Sequence, residues 1–163
     1  VTTLYTWRTD SPVGQLTMLS DGVNLTGLYM PSHKGAPPHV PDAHPDAGPF
    51  RDVVTELEAY FAGALTQFSV PVAGAGTPFQ QRVWTALRDI PYGHTDTYGG
   101  IAAKIGSPKA MRAVGLANGR NPISIIVPCH RVVGANGSLT GYGGGLENKE
   151  ILLTLEQRVL ATT

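Results

Sequence analysis

A single cysteine, Cys129, stands among the 163 residues of this chain. One sulfur cannot close an intramolecular disulfide and cannot build a cysteine-rich zinc site, so the fold has to be held by an apolar core. With 42% of its residues hydrophobic the chain can bury one, as a single domain or as a small domain joined to a larger one. No apolar run approaches the roughly 20 residues that span a bilayer. The opening VTTLYTWRTD lacks a basic stretch followed by an apolar one, so a soluble intracellular protein is expected. An unpaired cysteine agrees with a reducing compartment.

The cysteine lies in the stretch IIVPCHRVV. Ile125, Ile126 and Val127 read as a buried strand, and Pro128, which has no N–H to donate, should end it. Cys129 is then expected at a strand end with His130 as a candidate base. Sequence neighbours on an extended chain point to opposite faces, and a free cysteine often serves only as a small buried hydrophobe. Packing and chemistry both stay open on these residues alone.

Elsewhere the pattern is mixed. Residues 4–30 alternate like a small antiparallel sheet, with turn signals at Ser11-Pro12 and Asp21-Gly22. The proline-rich segment 31–49 carries His33, His39 and His44 beside Asp42 and Asp46; it reads as a solvated loop, because its spacing matches no standard metal motif. Phe50, Val53, Val54, Leu57 and Phe61 recur at helical spacing up to Gly63. After the strand-and-linker stretch FSVPVAGAG, Thr77-Pro78-Phe79-Gln80 offers an N-cap, an N1 proline and a capping-box glutamine for a helix from 78 to about 89. Thr97 can cap YGGIAAKI, which Gly106 ends. Ser107-Pro108 opens PKAMRAVGLAN, which Gly119 terminates, giving a helix-turn-helix outline. Ile151, Leu152, Leu155 and Val159 mark a C-terminal helix, with Glu156 beside that stripe either as a histidine's partner or as an edge charge.

The zero net charge hides an asymmetry: three basic against seven acidic residues before residue 71, nine against five after it. From Thr97 to Arg131 the charges are Lys104, Lys109, Arg112, Arg120 and Arg131, with no acid among them. Such a run is either a phosphate-binding footprint or a solvated face. The glycines of TGYGGGLENKE allow close backbone approach, but the lysine-serine or lysine-threonine ending of a phosphate-binding P-loop is absent.

NPISIIVPCHRVV, preceded by SPKAMRAVGLANGRN and followed by GSLTGYGGGLENKEILLTLE, closely resembles the O6-alkylguanine-DNA alkyltransferases, strongly over residues 77–156 and in outline before them. The resemblance implies an α+β fold, with a small N-terminal sheet-and-helix domain (1–74) joined to a mainly helical domain carrying the helix-turn-helix (75–163). It implies a single-use repair protein that moves an alkyl group from O6-alkylguanine, and from O4-alkylthymine, in duplex DNA to Cys129, after rotating the nucleotide out from the minor groove. His130 is the implied base, acting through a water, and Glu156 the carboxylate that orients it. Asn121 ties the recognition helix to the active-site strand, and Tyr98 helps rotate the nucleotide and donates a proton toward guanine N3. Arg112 fills the gap in the stack, among the implied DNA contacts Thr97, Lys109, Ala113 and Gly119, while Tyr142, Gly143 and the backbone near Val132 form the guanine pocket. No cofactor, metal or membrane partner is implied. A monomer in the cytoplasm, associated with DNA, is expected, with cooperativity on DNA left open.

The chemistry fits these residue types. Sulfur attacks an alkyl carbon effectively only as thiolate, which a base and its carboxylate supply, and an O6 atom inside a duplex is reached only by extruding the nucleotide. Two departures stand out. Gly100 replaces the family's frequent glutamate, leaving the capping box of Thr97 incomplete, so the first helix of the pair is expected to start loosely. Gly143, serine in some relatives, offers only backbone. A cysteine hydrolase would share Cys129, His130 and Glu156 but would need an oxyanion hole and would turn over. A plain DNA-binding regulator would leave the Pro128-Cys129-His130-Arg131 run without a use.

Overall fold

The computed structural model describes residues 3–31, 42–139, 142 and 145–162. The alternation near the start becomes a meander of β1 (Tyr5–Thr9), β2 (Leu16–Ser20) and β3 (Leu25–Tyr29), in which Tyr5 faces Ser20 and Thr17 faces Tyr29. The Asp21 carboxylate fixes the second turn by accepting from the Val23 and Asn24 amides at 2.9 and 2.7 Å. Leu16, Met18, Leu25 and Leu28 point into the core.

The proline-rich segment is not wholly loop: β4 (His44–Pro45) pairs parallel to β1, and the His44 ring packs edge-on against Tyr5. The expectation missed this strand because two residues carry no period. His33 and His39 lie outside the described residues. A 3₁₀ turn (Gly48–Phe50) leads into α1 (Arg51–Phe61), which buries Val53, Leu57 and Tyr60 and stops at Gly63, whose φ is +77°. α2 (Pro78–Leu87) has the expected cap: Gln80 N–H donates to the Thr77 hydroxyl, and Thr77 N–H donates to Gln80 Oε1.

The sheet order β3-β2-β1-β4 leaves β3 at an edge, and that edge is covered. Leu25 exchanges hydrogen bonds with Pro71 and Ala73 of the linker, and Leu28 with Pro122 and Ser124 just ahead of the cysteine. One hydrophobic core therefore runs from Leu16 and Phe50 through Trp84 and Ile101 to Leu152. The architecture is α+β.

The strand expected at Ile125–Val127 is absent; the burial signal was right and the backbone was misread. Ile126 N–H donates to the Ser124 carbonyl at 2.8 Å while Ile125 holds φ at +72°, a classic γ-turn, which is rare and strained for a β-branched residue. Three residues later Cys129 N–H donates to the Val127 carbonyl at 2.8 Å across Pro128 (φ −82°, ψ 63°), an inverse γ-turn. Buried backbone groups that a sheet ladder would satisfy are satisfied instead by these turns and by the Asn121 side chain. Cys129 opens a 3₁₀ turn (Cys129–Arg131), and β6 (Val132–Val133) follows, parallel to β5 (Asp96–Thr97).

α3 (Tyr98–Lys104) and α4 (Met111–Gly119) form the expected helix pair packed on α2, where the Trp84 indole N–H donates to the Ala117 carbonyl at 2.8 Å. α4 begins at Met111, later than the expected Pro108, after a turn closed by Ala110 N–H on the Ser107 carbonyl. α3 does not start loosely. Thr97 accepts from Gly100 N–H, and the Thr97 N–H, which a glutamate at position 100 would accept, donates to Asp96 Oδ1 at 2.7 Å. Asp96 also pairs with Lys104 at 2.7 Å, and a Cβ on Gly100 would strike Asp96 Oδ1.

α5 (Leu146–Ala161) closes the molecule with a stripe rotated from the expected one: Lys149, Leu152, Leu153 and Glu156 are buried, and Ile151 is exposed. Among the described residues no helix is long and apolar enough to cross a membrane. Asp96→Ala should cost about 1 kcal/mol, because it removes the acceptor of the Thr97 N–H at the start of α3, lowering the melting temperature by about 2–4 °C for a chain of this size. Lys104→Met, which removes only a half-exposed ion pair, should change it by less than about half as much; thermal unfolding of both variants checks this.

Candidate active site

α5 and the 3₁₀ turn bring Glu156 and His130 together, both wholly buried. His130 Nε2 lies 2.7 Å from Glu156 Oε2. Glu156 is therefore not an edge charge. Arg131 forks onto the same carboxylate, Nε to Oε1 at 2.8 Å and Nη2 to Oε2 at 3.0 Å, while its Nη1 donates to the Ile90 carbonyl. Tyr60 donates to Oε2 at 2.6 Å, and Gly93 N–H to Oε1 at 3.3 Å. Gly93 needs its glycine, since φ is +78° and a Cβ would lie 2.7 Å from Leu160.

Burial alone would raise the Glu156 carboxyl, but the hydrogen bonds and charge of His130 and Arg131 outweigh it and hold it well below the usual carboxylate range. Arg131 is always protonated, so it neutralises the carboxylate by itself. Burial then keeps His130 below its usual value against the pull of Glu156. With Glu156 as acceptor the imidazole carries its proton on Nε2, and Nδ1 is a lone-pair acceptor. That Nδ1 is buried and makes no hydrogen bond to a described residue.

Around the thiol stand Asn121, Tyr142 and Lys149. Burial pushes the Cys129 thiol up; hydrogen bonds from Asn121 and Tyr142 and the charge of Lys149 oppose it. The resting sulfur is thus a neutral thiol surrounded by groups that favour its anion. Asn121, also buried, donates to the carbonyls of Val127 (2.8 Å) and Ile123 (3.3 Å) and accepts from Ile123 N–H, tying the end of α4 to the cysteine turn. Asn118 of α4 adds a bond to the Cys129 carbonyl at 3.3 Å.

Lys149 was missed by sequence reasoning. Its Nζ donates to the Val132 carbonyl and lies 5.8 Å from the Tyr142 ring centroid, and burial draws it down to about 8. The only signal in the sequence was its helical spacing, seven residues before Glu156. Gly143 lies outside the described residues, as do Gly141 and Gly144.

The basic footprint is smaller than the sequence implied. Arg131 is spent on Glu156 inside the protein, and Lys104 on Asp96. Lys109, Arg112 and Arg120 remain exposed. Arg112, Leu116 and Arg120 follow one another at four-residue spacing on the outer face of α4, with Ala113 beside them and Leu116 68% exposed. Tyr98, half-buried at the start of α3, faces α4 at Gly115. The Thr97 hydroxyl is occupied by its cap, and Gly119 is the last residue of α4.

Residues 78–158 match the family model for the 6-O-methylguanine DNA methyltransferase DNA-binding domain, and residues 2–73 that for its ribonuclease-like domain. The chain is 57% identical over 148 residues to a methylated-DNA–protein-cysteine methyltransferase of Mycobacterium tuberculosis, covering 91% of this chain and 89% of that one. It is 55% identical over 149 residues to a protein of the same name from Methanosarcina acetivorans, covering 90% and 94%. Two crystal structures from Mycobacterium tuberculosis, one of the O6-methylguanine methyltransferase and one of OGT in complex with DNA, each superpose with a TM-score of 0.89 at 54% identity over 96% of this chain and 94% of theirs.

Because His130 is held neutral in the fold, the unfolded chain binds the extra proton first as pH falls below the ordinary imidazole value of 6.5. Stability from this residue is present above that value and is lost as pH drops toward the folded one, at up to about 1.4 kcal/mol per pH unit. Melting temperature measured between pH 8 and 5 should fall on the acid side, and His130→Gln should flatten that part of the slope.

Proposed function

The chain belongs to the methylated-DNA–protein-cysteine methyltransferase family and repairs alkylated DNA by transfer to a protein cysteine; from that premise we propose that Cys129 is the acceptor, His130 its base and Glu156 the residue that orients the base. The observation that carries this is the neutral, Glu156-bound His130, whose buried Nδ1 has no hydrogen-bond partner among the described residues, next in sequence to the one cysteine. The thiol proton passes to Nδ1 through one water. The thiolate, opposite Lys149 and the Asn121 and Tyr142 donors, attacks the alkyl carbon; the S–C bond forms, and the C–O6 bond breaks with its electrons going to guanine. Tyr98 donates a proton toward N3 of the guanine anion and regains one from solvent, while His130 releases the thiol proton to solvent, which completes the balance.

The substrate of this reading is O6-alkylguanine in duplex DNA, with O4-alkylthymine as a second. The O6 atom is inaccessible in a stack, so the nucleotide is extruded, at a cost of a few kcal/mol. Arg112 fills the gap it leaves, with Lys109 and Arg120 on phosphates and the small Ala113 allowing close approach to the minor groove. A split into residues 1–74 and 75–163 assigns this DNA face to the second part. The protein acts as a monomer, DNA-associated in the cytoplasm. A thioether is a poor leaving group and no second thiol is present to accept the alkyl group, so each chain acts once.

Titration of an O6-methylguanine duplex, followed by mass spectrometry, should stop at one methyl per chain on Cys129, and Cys129→Ser should bind DNA and transfer nothing. Several turnovers per chain, or methyl on another residue, would contradict this. Arg112→Ala should slow transfer from duplex DNA at least tenfold, a loss of about 1.4 kcal/mol. Its reaction with free O6-benzylguanine should stay near the unmodified rate.

A further inference from the structure

Of the five donor contacts that described residues make to the Glu156 carboxylate, one comes from the N-terminal segment. Tyr60 lies on α1, 96 residues before Glu156, and its hydroxyl donates to Oε2 at 2.6 Å. Oε2 is also the oxygen that holds His130 Nε2, at 2.7 Å, and Arg131 Nη2, at 3.0 Å. Three donors thus share one oxygen, and two of them belong to the cysteine turn while the third belongs to the N-terminal segment.

The Tyr60 ring is wholly buried and is held on three sides. Phe61 and Tyr92 meet it edge-on, at 5.1 Å and 82° and at 6.2 Å and 83°, and Phe68 lies tilted at 5.4 Å. Its hydroxyl is therefore placed before any substrate arrives. Burial and the adjacent Glu156 push it far above the usual tyrosine range, so it is always a donor.

We propose that Tyr60 is a positioning residue for alkyl transfer: by donating to the oxygen that holds His130, it limits how strongly Glu156 draws that histidine toward its protonated form. The proposal rests on the reading of His130 as the base for Cys129. Each hydrogen bond to a carboxylate oxygen takes up part of its negative charge. With the Tyr60 donor removed, more of the charge on Oε2 falls to His130, and the imidazolium gains. The groups that set this balance are Tyr60 from α1, Tyr92 and the Gly93 amide from the turn after α2, Arg131 beside the histidine, Lys149 from α5, and Cys129 with Tyr142 near the thiol. Glu156 keeps four donor contacts without Tyr60, so Tyr60→Phe leaves no unsatisfied charge and preserves the ring packing.

The test is single-turnover methyl transfer to Cys129 from a saturating O6-methylguanine duplex, between pH 5.5 and 8.5, in the unmodified protein, Tyr60→Phe, Glu156→Gln and the double variant. Tyr60→Phe should bind the duplex normally, and its acid limb should move up by about half a pH unit. The rate is then a few-fold lower on the acid limb and converges with the unmodified protein on the alkaline side. In the Glu156→Gln background the Tyr60 substitution should produce no further shift of the limb. A loss by one constant factor at every pH would mean that Tyr60 only packs, and an unchanged profile would overturn the proposal as well. If Glu156→Gln is slow while Tyr60→Phe is normal, the Tyr60 inference alone fails. If Glu156→Gln itself reacts at the normal rate with the normal profile, the underlying reading of the base fails and takes the inference with it.

Discussion

The buried carboxylate of Glu156 is the constraint on which the rest of this structure depends. A charge taken out of water is tolerated only where it is paired and hydrogen-bonded, and meeting that demand gathers the C-terminal helix, the cysteine turn, the turn at Gly93 and, through Tyr60, the helix of the N-terminal segment around two oxygen atoms. The network is a structural crosspiece as much as a chemical device. Removing Arg131, the cationic partner, would leave an uncompensated buried charge, a cost of about 3–5 kcal/mol, which ties the geometry of His130 to the integrity of the fold.

The division of labour between the two basic neighbours of that carboxylate follows from their chemistry. Arg131 cannot lose its proton and so takes the role of counter-ion, leaving His130 to remain neutral and to present Nδ1 as an acceptor. Lys149 plays a different part at the other end of the site, where its charge opposes the burial that raises the thiol. On the proposed reading, the resting thiol has the Lys149 charge beside it and becomes nucleophilic once its proton has passed to His130.

Much of this was legible in the sequence, and the failures have specific causes. The caps at Thr77 and Thr97 and the meander near the start follow from local chemistry, and local chemistry was enough to find them. Ile125–Val127 was readable as buried but not as a turn, because burial and β-branching carry no record of where backbone hydrogen bonds go, and Asn121 supplies partners that a strand would otherwise need. The stripe of α5 was misplaced because two of its four core positions are Lys149 and Glu156, polar residues that a hydrophobic pattern assigns to solvent. Charge counting overstated the DNA face for the converse reason: Arg131 and Lys104 have carboxylate partners at or beyond the edges of the stretch that was counted. Tyr60 gave no signal at all, since its partner lies 96 residues away.

The central claim is that Arg131 satisfies Glu156 and so keeps His130 a neutral base with its proton on Nε2. Nitrogen-15 NMR of histidine-labelled protein reads this state directly, because a protonated ring nitrogen and a bare one resonate far apart. At pH 7 the His130 signals, assigned by their loss in His130→Gln, should show one bare Nδ1 and one protonated Nε2. Two protonated nitrogens at that pH, or a proton on Nδ1 with Nε2 bare, would contradict the account.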